Sequence, residues 1–102
     1  MKMDKMLKQV QKMQAQLSLA QEELGAEIVE ASSGGGMVTV RANGRGDVVS
    51  ISISKDVVDP DDVEMLEDLV LSAVKESVRL SREMAEKRMG GLTGGLNIPG
   101  LF

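Results

Sequence analysis

Met37-Val38-Thr39-Val40-Arg41-Ala42-Asn43-Gly44-Arg45-Gly46-Asp47-Val48-Val49-Ser50-Ile51-Ser52-Ile53-Ser54 is the stretch that decides the fold. Val38, Val40 and Ala42 alternate with Thr39 and Arg41, while Val49, Ile51 and Ile53 alternate with serines. Successive strand residues point to opposite faces, so each run has one apolar side and one polar side. Asn43-Gly44-Arg45-Gly46 joins them with residue types that tolerate a tight reversal, which makes a hairpin. Upstream, 26–32 reads as a further strand, connected through Ser33-Gly34-Gly35-Gly36. The spacing predicts a three-stranded antiparallel meander over 26–32, 37–42 and 48–54. Its edges are open to pairing or covering by a second copy.

On either side of this core the period changes to that of a helix. Met3, Met6, Val10, Met13, Leu17, Ala20 and Leu24 recur at alternating spacings of three and four, a narrow seam suited to another helix. A helix is predicted over 2–24, ended by Gly25 at the C′ position. Asp59-Pro60-Asp61-Asp62 reads as a second helix start, with an Asp cap, Pro at the first helical position and acids at the positive dipole end. That helix is expected to reach about Met89, with Val63, Leu66, Val70, Ala73, Leu80 and Met84 as its stripe, widened by Leu69, Val74 and Val78. Lys87 and Arg88 fall in its last turn. The predicted class is therefore α+β in the order α-β-β-β-α. A single domain is expected over 1–89, with a flexible Gly-rich tail over 90–102.

At 102 residues the chain has room for one modest core, and its only aromatic is Phe102. A core of aliphatic side chains alone leaves a lone chain marginally stable, so self-association is expected. Cysteine and histidine are both absent, which removes thiolate chemistry, the commonest general base and the commonest metal ligand. No catalytic constellation, metal site or cofactor loop is found. Gly34–Gly36 lacks the Lys-Ser/Thr of a phosphate loop, and the 59–62 aspartates lack calcium-loop spacing. With no leader-like or membrane-spanning run, a soluble intracellular protein is expected, with neither a membrane nor a small-molecule substrate as partner.

The net charge of −4 argues against a polyanionic partner until its distribution is considered. Residues 1–12 hold Lys2, Lys5, Lys8 and Lys12 against one acid, residues 56–68 hold seven acids and no base, and Lys75, Arg79, Arg82, Lys87 and Arg88 follow. Lysines near a helix N-terminus oppose its dipole, so their placement is unfavourable for helix stability alone. The functional reading is a set of phosphate contacts; the plain alternative is a solvated face, and for the second set Glu76, Glu83 and Glu86 are available as intrahelical partners. Arg41 and Arg45 lie on the polar sheet face and its hairpin, where they either extend this surface or are simply solvated.

The helix–meander–helix order also resembles a known family. A Lys- and Gln-rich first helix ends in Leu17-Ser18-Leu19-Ala20-Gln21-Glu22-Glu23-Leu24. Gly34-Gly35-Gly36-Met37-Val38-Thr39-Val40, Asn43-Gly44-Arg45-Gly46-Asp47-Val48 and a Gly-rich, Pro-containing tail follow. Over essentially its whole length the chain is similar to the YbaB/EbfC nucleoid-associated proteins. The resemblance implies a bacterial, cytoplasmic homodimer associated with the nucleoid, whose helices project like tweezer arms onto duplex DNA. Roles in nucleoid organisation, gene expression or recombination are among those it admits. The expected DNA-contacting residues are Lys2, Lys5, Lys8, Lys12, Lys75, Arg79, Arg82, Lys87 and Arg88. Val10, Met13, Leu17, Val38, Val40 and Ile51 are the expected dimer interface. The competing expectation is a non-enzymatic protein–protein adaptor built on the heptad seam and sheet edges.

Overall fold

A computed structural model describes residues 2–93, with side chains from 3 to 90. Helix α1 spans Lys2–Ala26, strands β1, β2 and β3 span Ile28–Ser33, Val38–Asn43 and Val48–Ile53, and helix α2 spans Val63–Thr93. The strands form one antiparallel sheet in the order β1-β2-β3, so the α-β-β-β-α reading holds. Residues 94–102, and with them most of the expected tail, lie outside the described residues. Helix α2 runs past its expected end near Met89, through Gly90 to Thr93.

Three consecutive glycines reverse the chain between β1 and β2. Gly34, Gly35 and Gly36 have φ of 60°, 66° and 94°, a region that side chains with a Cβ rarely enter. The pairing that follows puts Val29, Ala31 and Ser33 opposite Ala42, Val40 and Val38, all on the face that α2 covers. Val38, Val40, Ala42 and Ala73 are wholly buried, and Leu66, Leu69, Val70 and Val74 pack around them.

Small side chains let α2 come close to the sheet. Ala73, Ser77 and Ser81 recur every four residues on one stripe and are all buried. Ser81 Oγ donates to the Asn43 carbonyl oxygen at 2.6 Å, and Ser33 Oγ donates to the Leu69 carbonyl oxygen at 2.6 Å. The aliphatic stripe read from the sequence omitted Ser77 and Ser81, which are among the most buried residues of this helix.

Helix α2 packs along β1 and β2 and barely reaches β3. Every residue of β3 is consequently exposed, although Ile51 and Ile53 pair with Val40 and Val38 and share their face. A bulge between Arg41 and Ala42 leaves Val49 as the extra residue of β3.

Two helix ends differ from expectation. Gly25 is not a left-handed C′ residue: α1 continues through it to Ala26. The β2–β3 hairpin supplies the missing partners instead, with Gly44 N donating to the Leu24 and Glu27 carbonyl oxygens at 2.8 and 3.1 Å. At the other helix, Asp59-Pro60-Asp61-Asp62 is a turn, closed by Asp62 N on the Asp59 carbonyl oxygen at 3.0 Å. The cap of α2 is Asp62, whose Oδ1 accepts from Met65 N at 3.3 Å.

Candidate nucleic-acid interface

The first half of α1 stands away from the rest of the molecule. Along its seam, Met3, Met6 and Val10 are 75%, 64% and 54% exposed, Met13 and Leu17 are half-buried, and Ala20 and Leu24 are buried. The described molecule is accordingly long and thin, 72 × 25 × 16 Å. Lys5, Lys8 and Lys12 all lie on the exposed half, on a stripe roughly 140° around the helix from the seam. Among the described residues none of the three carries an ion pair. Lys2 is helical in its backbone, and its side chain lies outside the described residues.

The second basic set divides. Arg79 donates to Glu76 at 2.6 Å and to Glu83 at 3.1 Å, and Lys87 pairs with Glu83 at 3.3 Å. Hydrogen bonding to Arg79 holds the Glu76 carboxyl below its ordinary range, and Glu76 in turn raises the Arg79 pKa. Arg88 is engaged between helices, donating to Glu23 and Glu27. All three are among the expected phosphate contacts, and here they are paired with carboxylates of the same chain. Lys75 and Arg82 stay exposed and carry no ion pair among the described residues.

Arg41 and Arg45 are likewise occupied. Arg41 pairs across the sheet with Glu30 at 2.9 Å, and Arg45 Nε donates to the Gln21 carbonyl oxygen at 2.8 Å. An open groove of about 620 Å³ between β1 and the second half of α2 is lined by Glu27, Glu30, Glu83, Lys87 and Arg88, among others. Its three carboxylates make it a poor seat for an anion.

Distance resolves the apparent conflict with net charge. The acids of 56–68 cluster before and within the first turns of α2, whereas Arg88, which touches the base of α1, lies near its far end. Glu64 and Arg88 are separated by about 36 Å of helix. The Debye length at physiological salt is about 8 Å, so exposed acids at one end are screened from lysines at the other.

The sequence profile of the YbaB/EbfC DNA-binding family matches residues 1–96. The chain belongs to the YbaB/EbfC DNA-binding family. A nucleoid-associated protein of Desulforamulus reducens is 58% identical over 100 residues, covering 98% of this chain and 95% of that protein. Another, from Clostridium novyi, is 50% identical over 102 residues, covering 100% and 90%. The crystal structure of protein HP0035 from Helicobacter pylori is similar to this fold, with a TM-score of 0.78 and 25% sequence identity, covering 95% of this chain and 99% of that one.

Within this YbaB/EbfC fold the expected interface residues separate into two groups. Val10 and Ile51 are exposed, and Met13 and Leu17 are half-buried. Val38 and Val40 are corrected: both are wholly enclosed beneath α2 and leave no surface for a partner. Sequence reasoning missed the anchoring of α1 by Arg45 and Arg88. Their partners are 24 and more than 60 positions away, beyond any local periodicity.

Proposed function

We propose that the protein is a nucleoid-associated homodimer that grips duplex DNA, chiefly through phosphates, with Lys5, Lys8 and Lys12 of each α1. The observation that carries this reading is the lysine stripe itself, exposed on a projecting helix and without intramolecular carboxylate partners among the described residues. Ammonium groups on a stripe act as point charges toward phosphate, which favours affinity over sequence discrimination. Lys75 and Arg82 extend the basic surface. Membership of a DNA-binding family and the naming of its relatives as nucleoid-associated proteins support DNA as partner and the nucleoid as location. With that support the DNA reading stands ahead of an adaptor role. Organising the nucleoid, or affecting expression or recombination, would follow from such binding.

The dimer is supported by the uncovered half of the sheet. Val49, Ile51 and Ile53 are 52%, 48% and 41% exposed on a strand whose outer edge is unpaired among the described residues. A second copy seated there would bury this apolar surface and enlarge a small core.

Fluorescence polarisation with two unrelated duplexes, titrated with salt, tests the reading. Six lysines from two chains neutralising about six phosphates give a slope of log affinity on log salt near −5. Replacing Lys5, Lys8 and Lys12 with Glu is expected to abolish retention of both duplexes while the dimer persists. Undiminished affinity in that variant would reject the lysine arm.

A further inference from the structure

Arg88 joins α2 to the base of α1, with Nη1 donating to Glu23 Oε2 and Nη2 to Glu27 Oε1. Its side chain is 28% exposed, against 77% for the neighbouring Lys87. Around the same base, Arg45 Nε holds the Gln21 carbonyl oxygen and Gly44 N holds that of Leu24. These contacts fall on 21–27, packing continues through Ala20, Leu17 and Met13, and every residue from 3 to 12 is exposed. The arm is therefore a lever gripped at one end. Lys5 lies about 27 Å beyond Glu23 along the helix, so a tilt of about 10° at the base carries it about 5 Å, farther than a hydrogen bond reaches.

We propose that Arg88 is a positioning residue for DNA binding: through Glu23 and Glu27 it sets the angle of α1 and so aims the lysine stripe, and it makes no phosphate contact itself. This rests on the DNA-binding reading above. The planar guanidinium suits the role because its two nitrogens take one carboxylate each from two points along the base of the arm. A single such contact would fix only one point of the base and constrain the tilt of the helix less.

The proposal reverses an ordinary electrostatic expectation. Glu23 and Glu27 are acids at the foot of a basic arm, so their removal would by charge alone strengthen binding to a polyanion. If they are needed to aim the arm, their removal weakens binding.

The test measures duplex affinity by fluorescence polarisation from low to physiological salt for the full-length wild type, Arg88→Ala, Arg88→Lys and the double variant Glu23→Ala/Glu27→Ala. Circular dichroism and sedimentation check fold and dimer in each. Loss of preorganisation is expected to weaken Arg88→Ala and the double variant about three- to tenfold at unchanged salt slope, with Arg88→Lys intermediate. A slope smaller by about one for each Arg88 removed marks a phosphate ligand and overturns the proposal. Unchanged or tighter binding by the double variant overturns it as well. Should Arg88→Ala fail to fold, Arg88→Lys and the double variant decide.

Because the chain has no cysteine, spin labels at Gln14→Cys and Asp68→Cys report arm pose directly, in labelled protein diluted with unlabelled copies. The distance distribution is expected to broaden in Arg88→Ala, and an unchanged distribution would count against the proposal. A Lys8→Ala control separates the two ideas, since failure of that variant to lower the salt slope indicts the lysine reading, not the role of Arg88.

Discussion

Gly44 N donates to the Leu24 carbonyl oxygen at 2.8 Å, and a Cβ added to Gly44 would lie 2.7 Å from that same oxygen. The hairpin between β2 and β3 thus clasps the last turn of α1 backbone to backbone, at a distance only glycine permits. The atom in the way is main-chain, so it cannot swing aside as a side-chain tip would. Gly44→Ala is expected to cost about 1–3 kcal/mol, with urea unfolding at fixed protein concentration as the measurement. The nearest atoms to a Cβ added at Gly25 belong to the Arg45 guanidinium, at 3.0 Å, a side-chain tip that can shift, so Gly25→Ala is expected to be milder.

Lys8 and Arg79 are both exposed cations, yet only one is unengaged. Lys8→Ala is expected to reduce the salt slope of duplex binding by about one for each phosphate it ceases to neutralise. Arg79 is held by Glu76 and Glu83, so Arg79→Ala should leave affinity and slope close to wild type. Polarisation titrations of the two variants in parallel check the contrast.

Ile51 shares a face with buried Val40 but is itself 48% exposed. Placing a carboxylate there with Ile51→Asp leaves the chain's own core intact and charges the expected dimer contact. Sedimentation equilibrium is expected to show the association weakened by at least about tenfold, the consequence of desolvating an unpaired charge at an apolar contact. An unshifted dimer would exclude this face as the interface.

Asp62, and not Asp59, caps α2. Asp62→Ala is expected to destabilise by about 1 kcal/mol, the ordinary cost of losing an N-cap acceptor. Asp59→Ala removes a side-chain acceptor from a surface turn and is expected to cost less. Thermal unfolding followed by circular dichroism ranks the two.

The Glu76 carboxyl, hydrogen-bonded to Arg79, titrates below its ordinary value of 4.5. A lowered folded-state pKa means that its contribution to stability is complete above the unfolded value and is lost as pH falls through the folded one. In Arg79→Ala the cause is gone, so the Glu76 midpoint is expected to rise toward 4.5, as read by carboxyl carbon NMR. With its side chain 45% exposed, solvent screening keeps the accompanying stability change small.

The periodic parts of this fold are legible in the order of the residues. Alternation at Val38, Val40 and Ala42 names a strand and its buried side, and a side-chain period of two leaves no other face for them. The three-four spacing from Met3 to Leu24 names a helix. That spacing does not reveal that Met3 and Val10 are exposed while Leu24 is buried, because periodicity gives a face and not what lies against it. Ser77 and Ser81 escaped notice for a related reason: small polar residues carry no hydrophobic signal, and close packing by α2 is what encloses them. The lysine stripe was visible as a pattern. Its lack of carboxylate partners was not.

The element types and their succession were determined by the order of residues itself, as properties of neighbours within a few positions, and composition alone excluded thiol and imidazole chemistry. The pairing of Arg79 and Lys87 within α2 follows local spacing, whereas tertiary structure alone decided that Arg88 is engaged. Arg88 and Lys8 are both cations on predicted helices, but folding brings Glu23 and Glu27 to the first and leaves the second on a projecting helix. Electrostatic partnership depends on distance through space, which local sequence does not encode for residues more than 60 positions apart.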